Sequence, residues 1–133
     1  MNQILLNEFK EFLKVYRDSW NSTNVSRIMG HTSETLKARW AAPGAAVSDW
    51  GYSEAETGWS EAYQAYRDQN PKWYFEDVLV EINAEQEGVA IFWCSMELDG
   101  ELTGSKMLFV ETFRKEYGEW KKIREFVENG FTQ

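Results

Sequence analysis

The chain has 133 residues, a length that one domain accommodates, and it carries 14 Lys plus Arg against 22 Asp plus Glu for a formal charge of −8. That balance disfavours nucleic acid and anionic membrane as partners, because both are gripped by clustered cations. The single cysteine leaves no internal disulfide, no apolar run nears a membrane span and no signal-peptide pattern opens the chain, so a cytoplasmic location is expected.

In chain order, Leu6, Phe9, Leu13, Tyr16 and Trp20 recur at steps of three and four and predict a helix over 3–20. Asn21 to Asn24 supply caps for a short second helix carrying Val25, Ile28 and Met29, with Gly30 ending it. Leu36, Ala38 and Trp40 alternate with polar residues and predict a strand over 34–41. Positions 42–57 show no clean period and read as a long aromatic loop, a lid or rim. Trp59, Ala62, Tyr63 and Tyr66 predict a third helix over 58–69, stopped by Asn70-Pro71. Strand patterns follow at 73–83, 89–98, 102–114 and 119–128, with turns expected at Glu87-Gly88, Asp99-Gly100 and Tyr117-Gly118. This is an α+β order, a meander with its helices packed on one face.

Seven Trp, six Tyr and eight Phe exceed what a small core hides with every indole N–H satisfied, which points to a cavity or an oligomer interface. Cys94, in an apolar strand, reads as a buried inert thiol. His31 follows the glycine that ends the second helix and reads as a solvated turn residue. With one His and one Cys there is no zinc constellation, so no metal is expected. Gly58 and Gly118 are expected in turns, outside any phosphate-cradling pattern. No cofactor is expected, and a flavin is disfavoured because few cations are available for its phosphate. Glu54, Glu56, Glu85 and Glu87 read as solvated loop residues.

The segments VYRDSWNSTNVSRIM (15–29), ETGWSEAYQAY (56–66) and FRKEYGEWKKIREF (113–126), in this element order, resemble the nuclear transport factor 2-like superfamily. That superfamily includes the SnoaL-like polyketide cyclases, ketosteroid isomerase and the association domain of calmodulin-dependent kinase II. The resemblance implies one domain over 1–133, with a cone-shaped curved antiparallel sheet and three helices in its N-terminal half. It also implies a pocket between the sheet and the first helix, and an outer face that dimerises. On that resemblance Tyr16 and Glu111 stand where ketosteroid isomerase keeps its oxygen-binding tyrosine and protonated carboxyl. The position of its base falls on Trp40, which cannot abstract a proton, so no catalytic residue is assigned.

Helical spacing pairs Tyr16 with Trp20 and Trp59 with Tyr63, while Phe109, Glu111 and Phe113 share one strand face. With Trp40 these eight residues are the expected ligand-binding set. Glu111 interrupts an apolar face, so its carboxyl is expected to titrate above the roughly 4.3 of a free glutamate, with Tyr16 as partner. The competing reading is a rim salt bridge to Arg114 or Arg124. The expected function is binding of a small hydrophobic or aromatic molecule, with an isomerase, lyase or hydrolase and a ligand-free association module as alternatives. A homodimer is expected across the outer sheet face, where Ile91 and Trp93 would point.

Overall fold

The computed structural model describes residues 3–132; positions 1, 2 and 133, at the ends of the expected domain, lie outside the described residues. Helix α1 (Gln3–Asn21) buries Phe9, Leu13, Tyr16 and Trp20 on one stripe, as the spacing requires. Helix α2 (Val25–Met29) starts where the Asn24 side chain accepts the Arg27 N–H. Strands β1 (Thr32–Ala41) and β2 (Ser48–Trp50) form a hairpin, and α3 (Tyr52–Tyr66) continues into a 3-10 turn, Arg67–Gln69. Then come β3 (Lys72–Ile82), β4 (Gly88–Leu98), β5 (Glu101–Glu116) and β6 (Glu119–Thr132).

The six strands form one curved sheet in the order β2-β1-β6-β5-β4-β3. Its inner face carries the core, in which Phe9, Leu13, Tyr16 and Trp20 of α1 pack on Phe92, Phe109, Phe113 and Val127. The curved sheet is mostly antiparallel: every neighbouring pair is so except β1 and β6, which run parallel. The cause is α3, which carries the chain from the β1 side of the sheet to its far edge. The meander then returns by three reversals, and its last strand meets β1 running the same way.

Two expected turns hold. Asp99 and Gly100 (φ 51° and 83°) and Tyr117 and Gly118 (φ 54° and 83°) each place two left-handed residues between strands, the geometry of a tight hairpin. The third does not, since Gln86 takes the positive φ of 63° and Gly88 opens β4. A Cβ at Gly88 would stand 2.5–2.6 Å from the Phe9 ring, so this glycine admits a core side chain and turns nothing.

The 42–57 segment is not a loop throughout. Trp50 pairs with Ala38 and Ser48 with Trp40 in the β1–β2 hairpin, and Arg39 grips Asp49 through two hydrogen bonds of 2.7 and 2.9 Å. Helix α3 begins six residues before Gly58, which lies inside it. Its start is set by Glu54, whose Oε1 accepts the Gly51 N–H at 2.9 Å in the manner of a capping-box glutamate. That corrects both the placing of Gly58 in a turn and the reading of Glu54 as merely solvated.

Candidate functional site

A cavity of about 490 Å³ opens between α3, the end of α1 and the inner sheet face. Five of the seven tryptophans line it: Trp20 on α1, Trp40 on β1, Trp50 on β2, Trp59 on α3 and Trp73 on β3. Met107, Phe109 and Val127 form its apolar floor. Along α3, Ala55, Gly58 and Ala62 face it beside Trp59, and these small side chains leave the space open.

Three of the indoles are fixed by the backbone around them. Asn21 donates to the Trp73 carbonyl at 3.1 Å and accepts the Trp73 N–H at 2.7 Å, so the end of α1 is clamped to β3. The Tyr63 hydroxyl donates to the Trp20 carbonyl at 2.9 Å, which ties α3 to the same point. As a result Trp20, Trp59 and Trp73 meet at interplanar angles of 70°, 82° and 68°, like the walls of a corner. The Trp20 Nε1 is buried without an acceptor among the described residues.

Beside the floor lies a buried ionic cluster. Lys122, 2 % exposed, donates to the Tyr16 hydroxyl at 2.9 Å and to Glu125 Oε2 at 2.8 Å, and its Nζ lies 3.5 Å from Glu111 Oε2. The Tyr16 hydroxyl donates to Glu111 Oε2 at 3.3 Å. Glu125 is the member that lines the cavity. Two buried carboxylates against one ammonium would leave a net negative charge, so one of them keeps its proton.

That one is Glu111. Burial drives its pKa well above the usual carboxylate range, and Glu125, opposite it across β5 and β6, reinforces the shift against the pull of Lys122. Burial pushes Glu125 upward too, but the Lys122 charge and hydrogen bonds from Glu111 and Lys122 outweigh it and hold Glu125 low. Glu111 is therefore the neutral acid of the pair and Glu125 the ionised carboxylate. The Glu111 Oε1 is buried and has no hydrogen-bond partner among the described residues, a position in which a neutral carboxyl costs less than a charged one. Burial also raises Tyr16, with Glu111 adding to the effect, so the phenol keeps its proton. Lys122 is lowered by burial but raised more by Glu125, Tyr16 and Glu111 together, and stays charged.

Neither Lys122 nor Glu125 is in the expected set, and the reason is local. Strict alternation would put residues three apart on opposite faces of β6. The β5–β6 register slips between Thr112 and Phe113, whose partners are Arg124 and Lys122, leaving Ile123 as an extra residue. This bulge lets Trp120 and Lys122 point inward before it, and Glu125 and Val127 after it.

Of the eight expected residues, Trp20, Trp40, Trp59 and Phe109 line the cavity. Tyr16, Tyr63, Glu111 and Phe113 are not among the residues that line it and are buried in the core. Glu111 forms no rim salt bridge, since Arg114 pairs with Glu116 and Arg124 with Glu87. His31 is half-buried, its ring edge-on to Phe12 and Tyr16 at 5.4 and 6.2 Å, which corrects its reading as a solvated residue. Cys94 is fully buried, and burial pushes its thiol well up. Two depressions of about 670 and 630 Å³ elsewhere are larger, but their walls include exposed Glu34, Tyr117, Lys37 and Arg39, and the first makes no contact with the cluster. Among the described residues no group of three or more His, Cys, Asp or Glu is placed to hold a metal, and no helix is long and apolar enough to cross a membrane.

The sheet, its helices and the cavity beneath α1 define the nuclear transport factor 2-like, cystatin-like fold. Among solved structures, the chain is similar to Aln2 from a Streptomyces species, with a TM-score of 0.78 and 14 % identity over 97 % of this chain and 93 % of that one. It is also similar to a ketosteroid isomerase-like protein from Erwinia carotovora atroseptica, with a TM-score of 0.66 and 14 % identity over 97 % and 98 % of the two chains. A third, an NTF2-like protein of unknown function from Shewanella oneidensis, gives a TM-score of 0.71 and 11 % identity over 92 % and 97 %. No family model matches the chain, and no curated protein matches it.

Proposed function

We propose that the protein binds a small, largely apolar molecule in the tryptophan-walled cavity. The observation that carries this reading is the gathering of five of seven tryptophans around one space of about 490 Å³, within the roughly 300–1,000 Å³ of ordinary ligand sites. Burial of the ligand's apolar surface supplies the affinity, and Glu125 supplies a polar contact. Calorimetric titration with 2-naphthol is expected to give one site per chain, lost in Trp59→Ala. Heat equal to that of buffer, or equal binding by the variant, overturns the reading.

A second reading is favoured by one observation, the Glu125 carboxylate at the cavity wall with its Oε2 held by Lys122 at 2.8 Å. An ionised carboxylate at a cavity wall is placed to take a proton from carbon beside a carbonyl: the C–H bond breaks, its electron pair enters the enolate, and the proton rests on Glu125 until it returns. Deuterium uptake into 2-tetralone in heavy water, followed by NMR, is expected to exceed the buffer rate and to fall to it in Glu125→Gln. A rate no higher than buffer removes this reading. The homodimer and the cytoplasmic location stand as proposals too. Trp93 on the outer face is already packed by Phe131 at 4.9 Å and by Lys106 at 4.5 Å, so the half-exposed Phe126 is the better anchor for a second copy. Sedimentation showing monomer alone at micromolar concentration sinks the dimer.

A further inference from the structure

The charges in the cavity wall all have one sign. Among the described residues its lining contains no Lys, Arg or His, while Glu54 stands at the rim and Glu125 inside, its side chain only 9 % exposed. Lys122, the cation that balances Glu125, is not part of the lining, so a ligand meets the carboxylate and not the ammonium. An anionic ligand would enter against both carboxylates with no cation in the described lining to receive it, in a chain already at −8.

The rings point the same way. Indole is the strongest aromatic face for a cation, and five indoles surround this space. Trp20, Trp59 and Trp73 are mutually steep, at 68° to 82°, and Trp40 and Trp50 are inclined at 44°. None of these pairs is a parallel slot of the kind that sandwiches a flat ring. Walls at steep angles suit a rounded head group that touches several faces at once.

We infer that the cavity selects organic cations, a substituted ammonium head among the tryptophans with Glu125 as counter-charge and an apolar body against Met107, Phe109 and Val127. This rests on the cavity being a binding site, and adds the charge of what it binds.

The test compares benzyltrimethylammonium with its uncharged carbon isostere 2,2-dimethylpropylbenzene, titrated into the full chain and followed by tryptophan fluorescence. The cation is expected to bind at least tenfold more tightly. Glu125→Gln is expected to lower that ratio about tenfold with little change for the isostere, and Glu54→Gln, an exposed site that leaves the ionic cluster intact, about threefold. Equal or tighter binding of the isostere, or an unchanged ratio in a folded variant of either glutamate, overturns the charge selection and leaves the cavity as a binding site. Saturable binding of neither probe overturns both.

Discussion

Beneath the first half of α1, Phe9, Phe12, Phe113 and Trp120 lie ring to ring at 5.1–6.4 Å and fill their space. Beneath its last turn, Trp20, Trp59 and Trp73 approach one another as closely, at 4.8–6.5 Å, yet their far sides border the cavity. Residue type does not distinguish the two ends. Small neighbours do, and in opposite senses: Gly88 lets a ring in, whereas Gly58 and the alanines of α3 keep the opposite end vacant. The lesson is that a glycine must be judged by what its missing Cβ would touch.

The sharpest division lies at the cluster between the two ends. Lys122→Met removes the cation hydrogen-bonded to Glu125 and is expected to destabilise the fold by about 3–5 kcal/mol, the usual penalty for orphaning a buried charge. Urea unfolding measures it, and a loss under ~1 kcal/mol, the scale of an exposed ion pair, would mean that the cluster is solvated in solution.

At the closed end, Gly88→Ala drives a Cβ into the Phe9 ring and is expected to cost about 1–3 kcal/mol. Its counterpart at the open end is Gly58→Ala, in a helix interior with nothing within 4 Å of the added carbon, which is expected to stabilise by about 0.5–1 kcal/mol. Thermal melts of the pair should move in opposite directions, and a shift of like sign in both would erase the contrast between the ends.

Between these in size is a pH effect. Glu111 keeps its proton in the fold and loses it when unfolded, so above the ordinary glutamate range near 4.5 the native state binds one proton more. Stability from this group is full below that value and falls as pH rises, by about 1.4 kcal/mol per unit. Glu125, held low, works the other way, but only below the same value. His31, lowered by burial and then by Lys121 and Arg27, also acts oppositely, and it is common to both proteins compared. Unfolding at pH 5, 6 and 7 should show wild type losing stability more steeply than Glu111→Gln. Parallel slopes would place a carboxylate, not an acid, at position 111.

The sequence revealed what depends on short-range periodicity. The stripe of α1 and the strands of the meander follow from steps of four and two residues, whereas the pairing of Tyr16 with Glu111 is implied by the family resemblance. The start of α3 escaped because its cap is a glycine helped by Glu54, while Gly58, a weak helix former, imitates a boundary. Lys122 and Glu125 escaped for a deeper reason. The bulge at Ile123 is a property of two strands in register, and nothing within residues 119–128 announces it. Half of the expected set reached the cavity wall because burial can be read from apolar spacing, whereas which buried ring borders empty space depends on every neighbour.

The parallel junction of β1 and β6 also sets an order in time. Thr32–Ala41 finds its long-range sheet partner only in residues 122–128, about ninety positions later, while β3, β4 and β5 pair with strands that follow at once. On the ribosome, the hairpin holding Trp40 and Trp50 is made early and must wait beside α3 for the last strand to emerge. Until then the indoles that later wall the cavity are open to solvent or to a chaperone. The cavity is thus the last part of the fold to exist, though nine of the fifteen residues that line it precede β3.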